Sequence, residues 1–222
     1  MTNQATKPLR VDAERNRARI VEVAQAAFAE HGLDVPLEDV AGGAGVGIAT
    51  LYRRFPTRDD LIAACFERRL ADYARAAEEA LEAPDGWSGF CSYVERICAM
   101  QAEDRGLADV LTRTFPNAKE LEAQRTLGYE RSVRLLDRAR TEGTLRSDVV
   151  PEDLVLLLMA NAGVVQGFGA ASPEAWRRFV ALMLDGFRAD GAAALPPAPS
   201  PRQVMRAMRR LSRAAEETRS TP

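Results

Sequence analysis

Histidine and cysteine, which often bind metals or act as nucleophiles, are scarce in this sequence of 222 residues. It contains one histidine, His31, and three cysteines, none of which forms a CxxC pair. This composition predicts free thiols in a reducing cytosol, with no metal site and no cofactor. Neither a P-loop nor a GxSxG motif is present, and His31 falls at a predicted helix end, so we do not expect an enzyme.

Long hydrophobic runs are missing as well. The longest one, from residue 154 to residue 160, ends at Asn161 and is too short to cross a bilayer. The opening segment MTNQATKPLRVDAERNR has no apolar core, so we expect no signal peptide and a cytoplasmic protein without a membrane partner. Because the net charge is −2, a uniformly basic coat for nucleic acid is excluded, and any DNA-binding surface must be local.

What the sequence does contain is helical periodicity along most of its length, with no convincing alternating strand. We therefore predict an all-α fold. A loose basic arm at 1–11 precedes a compact helix-turn-helix unit of three helices at 12–56. A larger helical bundle at 57–190 follows, and a proline-rich linker with a basic amphipathic tail occupies 191–222.

Polar residues predict where three of the helices begin. Asp12 can cap the first helix, and Thr57 with Asp60 forms a capping-box pattern at the start of the bundle. Asn117 and Glu120 have the same spacing and predict the start of a long helix. In each pattern a side-chain oxygen can accept a hydrogen bond from a backbone N–H of the first turn.

The second and third helices have the spacing of a helix-turn-helix. Ala41 is small enough to let the two helices come close, and Gly45 supplies the turn four residues later. Leu51, ten residues after Ala41, fills the small core. A small residue, a glycine and a large aliphatic residue at these intervals are what two short crossing helices require.

With Leu51 and Phe55 turned inward, the third helix has a polar outward side. Hydroxyl and phenol groups can hydrogen-bond to phosphate oxygens, and an arginine can bind a phosphate or read guanine. The alternative is that the arginines only solvate a surface. The outward residues are Gly47, Ile48, Thr50, Tyr52, Arg53 and Arg54.

Two segments, RARIVEVAQAAFAEHGL (17–33) and LEDVAGGAGVGIATLYRRFPTRDDLI (37–62), resemble the TetR family of transcriptional regulators. The helical remainder is similar to the family in architecture only. The resemblance implies a double-stranded DNA operator as partner, with Thr50 and Tyr52 on the DNA backbone. It also implies a phosphate contact for Arg58, where the family usually has a lysine. The residues that it places near bases are Gly47, Ile48, Ala49 and Arg53.

The sequence departs from the family pattern at positions that bear on DNA binding. Arg54 replaces a common histidine, which would strengthen phosphate contact. Gly42 and Gly43 fall inside the second helix, where each glycine costs about 1 kcal/mol relative to alanine. We therefore expect this helix to be loose without DNA.

The resemblance assigns residues 57–190 to ligand binding and dimerisation, and the hydrophobic pattern supports the second role. The helices near 151–168 and 173–188 carry more apolar residues than one buried face needs, so they predict a homodimer. Gly163 and Gly167 would allow close approach of a partner helix. A central core helix of a monomer is the alternative.

An effector pocket is expected between the helices of the bundle. Apolar walls with a few hydroxyl groups favour a hydrophobic or aromatic small molecule, although ordinary core packing is the alternative for each residue. Asn161 is the most pointed candidate, because an amide in an apolar helix needs a partner, either a ligand or its counterpart across the dimer. The candidate residues are Phe66, Trp87, Phe90, Tyr93, Phe115, Tyr129, Met159, Asn161 and Phe168.

Together these features predict a repressor that a small molecule releases from a palindromic operator. Two other functions stay open. One is a DNA-binding regulator that responds to no ligand, which a closed core without a cavity would favour. The other is a helical small-molecule-binding protein with a vestigial helix-turn-helix, which loss of DNA binding on Arg53→Ala would exclude.

Overall fold

The structure is a computed structural model, which describes residues 6–189 and 193–220. Ten α-helices and no strand occur in these ranges, which confirms the all-α prediction. None of these described helices is long and apolar enough to span a membrane. The helices are α1 (Thr6–His31), α2 (Leu37–Gly43), α3 (Ile48–Arg54), α4 (Arg58–Leu81), α5 (Gly86–Glu103), α6 (Arg105–Thr112), α7 (Lys119–Thr141), α8 (Pro151–Phe168), α9 (Ala175–Phe187) and α10 (Pro201–Ser220).

The first helix begins earlier than the sequence suggested. α1 starts at Thr6, so residues 6–11 are helical, and the prediction of a loose arm at 1–11 is wrong for that part. Asp12 lies inside the helix instead of capping it. Pro8 is tolerated because it lies in the first turn, where a backbone N–H has no partner within the helix. Residues 1–5 lie outside the described part of the chain.

Of the two predicted capping boxes, one is present. Asp60 N–H donates to Thr57 Oγ1 at 3.2 Å, and Thr57 N–H donates to Asp60 Oδ2 at 2.9 Å, so α4 starts as predicted. The box between Asn117 and Glu120 is wrong, because the N-cap of α7 is Ala118, which makes no side-chain cap. Ala118 is packed into the core with 5% exposure, and this burial fixes the start of α7 one residue later.

A single hydrophobic core runs from the three-helix unit (the head, α1–α3) into the bundle (α4–α9). The rings of Phe28 in α1 and Phe66 in α4 stack at a centroid distance of 6.3 Å, which joins the two parts. α4 packs against α1, α5 and α7. It lies close to α7 at Gly128, where an added Cβ would be 2.1 Å from Cε1 of Tyr73. α4 therefore connects the head to the middle of the bundle.

Asp34, Asp109 and Arg113 form a second, charged connection, which we call the Arg113 clamp. Arg113 donates to both carboxylate oxygens of Asp34 at 2.9 Å and pairs with Asp109 at 2.9 Å. Asp109 also accepts a hydrogen bond from the N–H of Leu33 at 2.8 Å. Burial raises the pKa of the Asp109 carboxyl, although Arg113 acts in the opposite direction. The clamp fixes the loop after α1 to the end of α6.

Candidate DNA-binding surface and ligand cavity

Backbone hydrogen bonds close the turn between α2 and α3. Gly45 adopts φ = 62°, a left-handed conformation that favours glycine. Its N–H donates to the carbonyl oxygen of Gly42 at 3.0 Å, and Val46 N–H donates to that of Ala41 at 3.0 Å. Gly47, whose backbone is extended, then stands at the N-cap of α3. The turn thus fixes the point at which α3 begins and the side it buries.

One side of α3 is buried and the other faces solvent. Leu51 is 0% exposed and the following Phe55 is 2% exposed, whereas Tyr52 is 46% exposed. Hydroxyl, phenol and guanidinium groups therefore lie together on one short helix. Around Tyr52, the exposed residues are Gly47, Ala49 and Arg53, and the half-buried ones are Ile48, Thr50 and Arg54.

The two arginines that flank the end of α3 have different surroundings. The Arg58 guanidinium donates to the backbone oxygens of Leu33 and Val35, and it lies 5.9 Å from the ring centroid of Phe28. It therefore holds the loop between α1 and α2, and the phosphate contact that the resemblance implies for Arg58 stays a prediction. Arg54 is half-buried, and its Nε has no hydrogen-bond partner among the described residues.

The nine candidate pocket residues do not surround one cavity. Four are core residues with at most 5% exposure, which agrees with the alternative of ordinary packing. Phe168 lies at the other extreme, since it is 54% exposed at the end of α8. Trp87 and Met159 are half-buried, and the Trp87 ring lies 5.3 Å from the Arg188 guanidinium. The four core residues are Phe66, Phe90, Tyr93 and Phe115.

The amide nitrogen of Asn161 finds partners within the chain, whereas its buried Oδ1 has none among the described residues. Its Nδ2 donates to Oε1 of Gln101 in α5 at 2.9 Å and to the carbonyl oxygen of Cys98 at 3.3 Å. Gln101 in turn donates to the carbonyl oxygen of Leu158 at 3.3 Å. Both amides are 0% exposed, so they form a buried polar link between α5 and α8. Asn161 does not line the cavity described next.

An apolar cavity of about 230 Å³ lies between α4, α6, α7, α8 and α10, and of the nine candidates only Tyr129 lines it. Burial raises the pKa of the Tyr129 phenol, and the negative charge of Glu152 acts in the same direction. Sequence reasoning missed most of the cavity because its walls come from five helices that are far apart in the sequence. Its lining residues are Tyr73, Leu111, Arg125, Thr126, Tyr129, Glu152, Leu154, Val155, Leu158, Pro201, Val204, Met205 and Met208.

The thiols and carboxylates offer little for catalysis or metal binding. Burial raises the pKa of Cys65 and Cys98 to about 12 and that of Cys91 to about 11. Because the thiolate is the reactive form, all three are poor nucleophiles and unsuited to sensing oxidation. In the described part of the chain, no group of three or more histidine, cysteine or acidic side chains could hold a metal ion.

A helix-turn-helix head on a helical bundle, with a polar outward face on α3, defines a DNA-binding regulator of transcription. Comparison with known proteins identifies the family. Residues 20–65 match the family described as bacterial regulatory proteins of the TetR family. Residues 85–189 match the C-terminal domain described as transcriptional regulator SbtR-like. The chain belongs to the TetR family, as the sequence resemblance predicted.

Individual relatives agree with this assignment. The chain is 33% identical over 132 residues to the HTH-type transcriptional repressor LfrR of Mycolicibacterium smegmatis, covering 58% of this chain and 67% of LfrR. It is 26% identical over 160 residues to the repressor SCO4008 of Streptomyces coelicolor, covering 68% and 78%. Among solved structures, the TetR regulator SCO0520 of Streptomyces coelicolor is 29% identical with a TM-score of 0.50, covering 79% and 99%. These matches support a DNA-binding transcriptional repressor.

Proposed function

We propose that this protein is a homodimeric repressor, which leaves a palindromic operator when a small hydrophobic or aromatic molecule binds its bundle. The observation that carries the proposal is the outward side of α3, where Tyr52 and Arg53 are exposed opposite buried Leu51. Thr50 and Tyr52 would bind phosphates, and Arg53 would reach a base edge. Gly47, Ile48 and Ala49 would also lie near the bases.

Exposed apolar side chains on α8 and α9 support the homodimer. Leu156 is 45% exposed, Phe168 is 54% exposed and Leu182 on α9 is 63% exposed, which is unusual for a surface that stays in water. Added Cβ atoms at Gly163 and Gly167 would meet no atom within 4 Å, so a partner helix could come close there. A two-fold dimer would match operator half-sites about 34–36 Å apart.

The cavity between α4, α6, α7, α8 and α10 is the proposed effector site. Its volume of about 230 Å³ exceeds the roughly 150 Å³ of an engineered apolar cavity that binds benzene, so a molecule of one or two rings would fit. Apolar side chains dominate its walls, and the hydroxyl groups of Tyr73 and Tyr129 could orient a polar substituent. This differs from the pocket expected from the sequence, which included eight other residues.

α4 would carry the signal from the cavity to the DNA. Tyr73 borders the cavity, and four turns earlier Arg58 holds the loop between α1 and α2. A shift of α4 would therefore move the head and change the spacing of the two α3 helices. A coupling free energy of about 1–3 kcal/mol, typical of allostery, would weaken operator binding about 5–150-fold.

The test begins with selection of bound sequences from random DNA duplexes, which gives the operator. Small aromatic compounds are then screened for those that raise the melting temperature and release the operator. Val155→Trp fills the cavity and should keep operator binding while it loses release. Leu127→Trp, on the exposed side of α7, is the matched control and should behave as wild type. If the compound still releases the operator from Val155→Trp, the cavity is not the effector site.

A further inference from the structure

The C-terminal helix α10 lies outside both regions that match the family, since the second match ends at residue 189 and α10 begins at Pro201. The linker before it is fastened to the bundle. Leu195 N–H donates to Oδ2 of Asp148 at 3.0 Å. Ser200 N–H then donates to Oε1 of Gln203 at 2.8 Å at the start of α10. The linker is therefore attached to the bundle at Leu195, and the bond between Ser200 and Gln203 caps the start of α10.

The first half of α10 is one wall of the effector cavity. Val204, Met205 and Met208 face Tyr129 of α7 and Leu154 of α8 across it. Met208 is 7% exposed and is the only buried side chain between residues 201 and 214. Without α10 this side of the cavity would be open to solvent.

The next turn of α10 reaches the junction between the head and the bundle. Thr114 N–H donates to Oγ of Ser212 at 3.0 Å, and the two hydroxyl oxygens lie 3.3 Å apart. Ser212 lines a cleft of about 110 Å³ together with Leu33 of the head and with Arg58 and Ile62 at the start of α4. Because Met208 and Ser212 are four residues apart, one face of α10 contacts both the cavity and the junction.

The other face of α10 favours its release. The segment 201–214 contains five arginines and no acidic residue. Like charges four residues apart destabilise a helix, and most helical stability in proteins comes from the packing of one face. The contacts of Met208 and Ser212 therefore determine whether α10 stays on the bundle. The arginines are Arg202, Arg206, Arg209, Arg210 and Arg213.

We propose that α10 is a cover for the effector cavity, which shields one side of the cavity when docked and exposes that side when lifted. Contact between Ser212 and Thr114 makes the junction at the start of α4 sense whether the cover is docked. The inference rests on the proposed function only in calling the occupant an effector. Opening of the cover can be measured without any effector or DNA.

The experiment uses the full-length protein with a reporter thiol, Leu154→Cys, in the cavity wall. Methyl methanethiosulfonate labels it, and peptide mass spectrometry reads residue 154 separately from the native thiols. Met208→Asp, which lifts α10, should label about tenfold faster than the parent, because labelling follows the open population. Amide hydrogen exchange at residues 58–62 should also become faster, since the junction loses its contact with α10.

Leu211→Asp is the matched control, because it adds the same charge to the same helix at a side chain that is 44% exposed. It should change both rates by less than about twofold. Equal labelling in the two variants, or unchanged exchange at 58–62, would overturn the proposal. So would faster exchange throughout the chain, which would indicate general unfolding. A failure to find any effector would count against the proposed function and leave both readouts of the cover intact.

Discussion

At the residue scale, charged side chains hold the head to the bundle alongside the apolar core. The Arg113 guanidinium is 16% exposed and faces two carboxylates, Asp34 and Asp109, which are 37% and 23% exposed. Its two parallel hydrogen bonds to Asp34 fix both distance and orientation. Removal of the arginine would leave two neighbouring acids without their shared cation, and Asp109 is already poorly solvated.

We predict that Arg113→Ala lowers the free energy of unfolding by about 2 kcal/mol, because a partly buried charge pair loses one member. Urea unfolding followed by circular dichroism measures this change. Arg75→Ala is the control, since Arg75 is 56% exposed and pairs with Asp72 on the helix surface, and it should cost less than about 1 kcal/mol. Equal losses in the two variants would show that the clamp adds nothing special.

Individual residues also show which parts of the candidate sites could be predicted from the sequence. The outward side of α3 follows from the positions of Leu51 and Phe55, because burial of one side of a seven-residue helix determines the other. The pocket could not be predicted in this way. Whether an aromatic residue fills the core or borders a cavity depends on how distant helices approach, as at Gly128 beside Tyr73. No local pattern contains that information.

At the scale of elements, the hydrophobic periodicity predicted which segments are helical, but the starts of α1 and α7 were predicted wrongly. α1 extends back to Thr6, since a proline in the first turn does not prevent a helix. α7 starts after a buried alanine, because tertiary packing there outweighs a polar capping pattern. α2 forms despite Gly42 and Gly43, so the packing of its Leu37, Val40 and Ala41 compensates for weak intrinsic helix propensity.

We predict that Gly42→Ala raises the free energy of unfolding by about 0.5–1 kcal/mol, because an alanine Cβ there meets no atom within 4 Å. Slower amide exchange within α2 should accompany the change. Gly43→Ala is the matched comparison and should bring no gain, since its Cβ would lie 2.9 Å from Cγ1 of Val23. If both substitutions stabilise equally, the glycines rather than the packing around them limit α2.

At the scale of the whole molecule, α8 and α9 present an apolar surface that the described chain does not cover. Leu182 at 63% exposure is its most exposed large side chain, and Leu156 and Phe168 lie on the neighbouring helix. Their burial against a second copy would favour association by the hydrophobic effect. The excess of apolar residues on α8 and α9 could be predicted from the sequence. Which of these residues stay exposed could not, because it depends on how α5 and α6 pack against the two helices.

We predict that the protein sediments as a dimer and that Leu182→Asp shifts it to a monomer, because a carboxylate would be buried without a partner at the interface. Analytical ultracentrifugation measures the shift, and an unchanged far-ultraviolet spectrum checks the fold. Leu127→Asp, at a side chain 37% exposed on α7, should remain dimeric. A dimer that survives Leu182→Asp would place the interface elsewhere.

The most direct test of the account is a fluorescence anisotropy titration of the selected duplex at several salt concentrations. Wild type should bind as two chains per duplex, with an affinity that falls linearly on a logarithmic salt scale. Arg53→Gln should lose about 1–3 kcal/mol of discrimination against the wrong base. Arg177→Gln, which removes the same charge from the surface of α9, should bind as wild type. If Arg53→Gln binds with undiminished affinity and sequence preference, α3 is not the element that reads DNA.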